Sequence, residues 1–132
     1  MIQRREDGSV DFYLKWLDYK YGFGRVDAEH WLGNENIHRL TSQKTYILRF
    51  DLEDFEGETR YAEYDMFLVA NEDLDYQLIV GDYVAGTAGE VSIVFPCCPP
   101  VQNVIALLHS QLSERFQISH FSRKVYFDLK LG

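Results

Sequence analysis

Tyr46, Leu48, Phe50 and Leu52 alternate along the chain with Ile47, Arg49 and Asp51. A period of two is that of a strand with one buried face. Asp54 to Glu58, with Gly57, reads as a turn, and Ala62, Tyr64, Met66 and Leu68 then alternate with Tyr61, Glu63, Asp65 and Phe67 to complete an antiparallel hairpin. Tyr76, Leu78 and Val80 predict a third strand. Upstream, Phe12, Trp16, Tyr19 and Phe23 recur at helical spacing, with Asp11 as N-cap and Gly22 and Gly24 as stops. Gly33-Asn34 opens a second short helix carrying Ile37 and Leu40. The predicted core is Phe12, Trp16, Phe23, Trp31, Leu48, Phe50 and Tyr64. The fold class is α+β, a mostly antiparallel sheet with short helices.

The pattern changes near residue 90. Up to Gly89 the chain carries nine basic and eighteen acidic residues, net -9, and beyond it four basic and three acidic, net +1. Both tryptophans and eight of the nine tyrosines precede Glu90, whereas all three prolines and both cysteines follow it. The later part reads as a strand at Val91 to Phe95, breaks at Pro96, Pro99 and Pro100, a helical stripe through Val101, Val104, Ile105, Leu108, Leu112 and Phe116, and a terminal strand over Val125 to Leu131. Its 43 residues are near the size at which chains usually need metals, disulfides or partners to fold alone. The expected division is therefore a domain over 1–89 and a divergent tail over 90–132.

Charge and length exclude several functions. A net charge of -8 over 132 residues disfavours nucleic acid and anionic membranes, which are held by clustered Lys and Arg. No apolar run reaches the roughly 20 residues of a spanning helix, so no membrane insertion is expected. The polar start, Met1 to Asp7, lacks the apolar stretch of a secretory signal. Adjacent Cys97 and Cys98 supply no disulfide framework.

Candidate chemistry is sparse. Asn71, Asp73 and Asp75 have the alternation of a calcium loop, but an EF-hand needs Gly at the sixth position and a bidentate acid at the twelfth, where this chain has Tyr76 and Asp82; a solvated loop is the better reading. Asp51, Glu53, Asp54, Glu56 and Glu58 read as the exposed face and turn of the hairpin, able to meet a basic partner. Cys97, Cys98, His109 and His120 lack zinc spacing, and His30 and His38 are expected to be structural. No Gly-x-Ser-x-Gly elbow, phosphate loop or N-glycosylation sequon occurs. No enzyme and no cofactor are expected.

The order of short motifs carries more information. Gln3-Arg4-Arg5-Glu6-Asp7-Gly8-Ser9-Val10-Asp11-Phe12 is followed by Trp16, Tyr19 and Gly22-Phe23-Gly24, then by Glu29-His30-Trp31-Leu32-Gly33, Ile37-His38, Leu48-Arg49-Phe50-Asp51-Leu52, Tyr61-Ala62-Glu63-Tyr64 and Gly86-Thr87-Ala88-Gly89. Over residues 1–89 this resembles the fibrinogen-related domains of fibrinogen chains, ficolins, angiopoietins and tenascins. The resemblance implies a non-catalytic extracellular recognition module that binds glycans, acetyl groups or receptor and matrix proteins. It implies a partial domain, because the family's acidic calcium loop, disulfides and ligand pocket have no counterparts after Gly89, so that no ligand-binding residue is assigned. The alternative is a structural or protein-interaction fragment that self-associates through exposed strand edges.

Overall fold

The computed structural model of the chain describes residues 1–88 and 124–131. The strand read from alternation is β4, Tyr46–Glu53, with Leu48, Phe50 and Leu52 buried. It pairs antiparallel with β5, Thr59–Tyr64, placing Leu48 opposite Tyr64 and Phe50 opposite Ala62. Asp54 closes the hairpin, its Oδ1 accepting the backbone N–H groups of Glu56 and Glu58, both at 2.9 Å.

The alternation does not continue through Met66 and Leu68 as predicted. At Asp65 the chain turns, with its N–H donating to the Asp82 carbonyl (3.0 Å) and its carboxylate accepting the Asp82 N–H (2.8 Å). The phase then inverts. In β6, Phe67–Val69, it is Phe67 and Val69 that are buried, whereas Met66 is exposed. β6 pairs with β7, Leu78–Val80, in a separate two-stranded sheet. Tyr76, expected in that third strand, lies outside it at φ 51°, directly after Asp75 at φ 52°. Left-handed backbone at two successive non-glycine residues is strained, and packing of the fully buried Tyr76 ring sustains it.

The first helix also starts later than predicted. α1 spans Trp16–Tyr21, not Asp11 onward. The Asp11 carboxylate instead accepts the Tyr13 N–H (2.8 Å) in a local turn, and Lys15 is still extended. Gly22, at φ 89°, ends the helix and donates its N–H to the Asp18 carbonyl (2.8 Å). The chain passes here so close to Leu32 that a Cβ on Gly22 would lie 2.6 Å from the Leu32 carbonyl oxygen. Only glycine satisfies both demands.

β2, Phe23–Gly24, β3, His30–Trp31, and β1, Gln3–Arg5, form one end of the main sheet. α2, Asn34–Gln43, buries Ile37 and Thr41 and docks on β6, where the Val69 N–H donates to Thr41 Oγ1 (3.2 Å) and His38 Nδ1–H donates to the Val69 carbonyl (2.8 Å). β8, Tyr83–Gly86, lies on the far side of β5.

The last strand, β9, Lys124–Leu131, lies between β1 and β4 and is antiparallel to both. The seven-stranded order is β2-β3-β1-β9-β4-β5-β8. The compositional change at Gly89 therefore does not divide the sheet: a strand from beyond it joins the two halves of the part before it. The strand expected at 91–95 and the helical stripe at 101–116 lie outside the described residues.

Of the predicted core, Trp31, Leu48, Phe50 and Tyr64 are buried. Phe12, Trp16 and Phe23 are not inside it; they are half-buried and pack against its margin, because the helix that was to seat them is too short to bring all three under the sheet. Trp31→Ala should therefore cost about 3 to 5 kcal/mol in urea unfolding and Trp16→Ala clearly less. Equal losses would contradict this division between core and margin.

Candidate interaction surface

A buried carboxylate organises the N-terminal segment. Glu29 is 2 % exposed and accepts four backbone N–H groups. Its Oε1 takes those of Glu6 (2.7 Å), Asp7 (2.9 Å) and Gly8 (2.9 Å), and its Oε2 takes that of Val10 (2.9 Å). Burial alone would raise the carboxyl pKa, but the four donors outweigh it and hold the group at about 2, against 4.5 for a free glutamate.

This clamp aims residues 10–23 across the end of the sheet. Phe12 packs edge-on against Phe23 with centroids 4.9 Å apart, and the Arg5 guanidinium sits 4.5 Å over the Phe12 ring. Trp31 Nε1–H donates to the Tyr19 carbonyl and to Asn34 Oδ1, both at 3.0 Å. On the other side of α1, Trp16 lies 5.8 Å from Tyr76, whose hydroxyl donates to Glu35 Oε2 (2.6 Å). Burial, then the bond to Glu35, pushes the Tyr76 hydroxyl well above its ordinary pKa.

With Trp16 and Tyr19 turned inward, α1 presents Leu17 and Tyr21 outward, one turn apart and 61 % and 65 % exposed, with Tyr13 ahead of them at 97 %. Lys20 Nζ bridges to Glu72 Oε2 (2.7 Å), joining α1 to the single 3₁₀ turn Glu72–Leu74, where Leu74 is also exposed. Tyr13, Leu17, Tyr21 and Leu74 are thus exposed apolar side chains on α1, on the segment before it and on the turn bridged to it.

The outer face of the main sheet is polar and internally paired. Arg49 makes ion pairs with Asp51 (2.8 Å) and Glu63 (2.9 Å) and stacks 4.1 Å over Tyr61, while Lys130 also reaches Glu63 (2.7 Å). The bond to Asp51, then that to Glu63, raises the Arg49 pKa further, and Lys130 and Arg49 lower that of Glu63. Tyr126 donates to Glu6 Oε1 (2.7 Å), and burial together with this bond pushes its hydroxyl to about 12. Among the described residues these groups are matched to one another across this face.

The other sequence candidates are dispersed. Asn71, Asp73 and Asp75 are exposed around the 3₁₀ turn, whose internal bonds are backbone to backbone, and among the described residues no three His, Cys, Asp or Glu side chains converge as metal ligands. Asp51 and Glu53 engage Arg49 and Lys124, whereas Glu56 and Glu58 are exposed. His30 is buried, with Nδ1–H donating to the Ala28 carbonyl (3.0 Å). Cys97, Cys98, His109 and His120 lie outside the described residues. Sequence reading missed Glu29, Tyr76 and Arg49 as organising groups, and no local signal in the sequence marks Glu29 as a buried charge. No helix among the described residues is long and apolar enough to cross a membrane.

A sequence profile of the C-terminal globular domain of fibrinogen beta and gamma chains matches residues 1–117. Human fibroleukin is 57 % identical over 90 residues, which are 68 % of this chain and 20 % of that protein. Bovine angiopoietin-2 is 49 % identical over 94 residues, 71 % of this chain and 19 % of that protein. The fibrinogen-like globe domain of human ANGPTL2 superposes with a TM-score of 0.65 at 48 % identity, covering 67 % of this chain and 41 % of that one. A lamprey fibrin D-dimer bound to the peptide Gly-His-Arg-Pro-amide gives 0.66 at 42 % identity, covering 79 % of this chain and 34 % of that one. The chain thus spans about one-fifth of the curated relatives it matches.

The Glu29 clamp carries a pH signature. Its folded pKa lies below the unfolded one, so its stabilisation is complete above about pH 4.5 and is lost as pH falls toward 2. Glu29→Gln sets an NH₂ against backbone donors and should cost about 3 kcal/mol at neutral pH, with the gap to the parent closing between pH 4.5 and 2. Parallel stability curves for the two proteins in urea would remove Glu29 as the source of that acid sensitivity.

Proposed function

The chain belongs to the family of fibrinogen C-terminal globular domains, and from that premise we propose that it acts outside the cell as a recognition module whose ligand is a protein. The family is one of non-enzymatic binding modules. The observation that carries the reading is the surface over α1, where Tyr13, Leu17 and Tyr21 are each exposed on a segment tied to the fold through Glu29 at Val10 and through Tyr76 at Trp16. Tyrosine is enriched among the anchors of protein interfaces, and side chains presented on an ordered segment lose less freedom on binding than those of an unordered one. A related lamprey fibrin takes a peptide ligand, which agrees with protein over glycan. Recognition over α1 needs no calcium.

Labelled chain titrated onto intact cultured animal cells should bind saturably, lose that binding after protease treatment of the cells and keep it after glycosidase treatment. The variant carrying Leu17→Asp and Tyr21→Asp, with an unchanged circular dichroism spectrum, should bind at least about tenfold more weakly, the effect of losing two interface anchors. Binding that survives protease and disappears with glycosidase would transfer the function to a glycan; equal binding by the variant would move the site away from α1.

A second reading rests on β8, which ends the sheet order among the described residues and carries the exposed Val84. Such an edge templates pairing with another copy of the chain. Sedimentation should then show concentration-dependent association that Val84→Lys suppresses, and a monomer at all concentrations would dismiss it.

A further inference from the structure

Asp7-Gly8 is the one Asp-Gly pair in the sequence, and the native fold treats it unusually. We propose that this peptide is a latent isoaspartate site, a point of spontaneous backbone modification that the Glu29 carboxylate holds closed. Both residues are exposed to water, and Gly8 sits at φ 76° in open space, where even an added Cβ would meet nothing within 4 Å. Nothing steric therefore hinders a ring from closing between them.

The chemistry needs only water. The Gly8 main-chain nitrogen attacks Asp7 Cγ, the N–Cγ bond forms, and the carboxyl hydroxyl departs as water together with the amide proton. Water then opens the resulting succinimide at either carbonyl, and opening at the original main-chain carbonyl leaves the backbone running through the Asp7 side chain. One water is lost and one regained, so the net change is an isomerisation.

Both reacting groups are engaged in the native state. The Gly8 N–H, which must lose its proton, donates to Glu29 Oε1 at 2.9 Å. The Asp7 carboxylate, which must turn onto that nitrogen, accepts the Ser9 N–H at 3.0 Å. Glu29 does not serve as the base. A carboxylate satisfied by four N–H donors is a weak proton acceptor, so the contact keeps the proton on Gly8. Reaction then waits for local opening of residues 6–10. Its product cannot reclose the clamp. An isoaspartate adds one methylene to the main chain between the Asp7 and Gly8 donors, and the four N–H groups no longer converge on one carboxylate. The modification is a one-way release of the N-terminal segment.

The test is incubation of the purified chain at neutral pH and body temperature, with isoaspartate at residue 7 quantified by peptide mapping and by a methyltransferase specific for that linkage. The native chain should isomerise at least about tenfold more slowly than the same chain in concentrated urea, because reaction requires opening. The retardation should equal the hydrogen-exchange protection of the Gly8 amide measured under the same conditions. Glu29→Gln should isomerise faster than the parent, and Asp7→Glu should give no product at this position. If Glu29→Gln does not fold, the comparison of retardation with Gly8 protection still decides. No isoaspartate in the unfolded chain, or a native rate equal to the unfolded one while the Gly8 amide stays protected, would overturn the proposal.

Discussion

The Glu29 carboxylate is the contact on which the N-terminal half of this fold depends. Residues 6–10 are a loop with no secondary structure of their own, and their backbone donors would be left without partners as the chain turns away from β1. One buried side chain answers four of them. Because Glu29 immediately precedes β3, the loop leaving β1 is tied to the strand beside it, which fixes the direction in which Phe12, Trp16 and Tyr19 enter the structure. A charge so deeply buried is tolerable only when fully hydrogen-bonded, and that requirement makes the geometry specific.

A second tie holds the opposite side of α1. Six residues are too few for a helix to persist by its own hydrogen bonds. Trp16 against Tyr76, the Tyr76–Glu35 bond and the Lys20–Glu72 ion pair supply what is lacking, linking α1 to α2 and to the loop before β7. The strained backbone at Asp75 and Tyr76 is the cost of placing that ring. The inward side of α1 is thereby consumed by packing, and its outward residues Leu17 and Tyr21 stay exposed.

The sheet has an equally non-local logic. Among the described residues its two halves, β2-β3-β1 and β4-β5-β8, are joined in the hydrogen-bonded order through β9, Lys124–Leu131. Outer-face pairs such as Lys130 with Glu63 and Tyr126 with Glu6 tie that strand to both sides. Surface pairs of this kind contribute little stability each, but opposite charges at matched positions favour one register over its neighbours. The apolar face supplies the energy and the polar face the alignment.

What was legible in the sequence was what depends on neighbours along the chain. Alternation from Tyr46 to Leu52 marks a strand because side chains two apart share a face, and the acidic turn with Gly57 marks the reversal because few residues accept its backbone. The ordered motifs up to Gly89 carried the family for the same reason. Periodicity failed where a distant contact intervened. The pairing of Asp65 with Asp82 inverted the phase before Phe67, and Tyr76 left its strand to reach Glu35; α1 was delayed instead by a competing local bond, from Tyr13 to Asp11. Glu29 looked like one acid among many, since nothing in its own neighbourhood says that four amides from residues 6–10 will meet there. The pattern of the chain determined the elements and their hydrophobic faces; only the tertiary structure decided which polar groups were buried, because satisfying a buried charge takes donors that folding alone brings together.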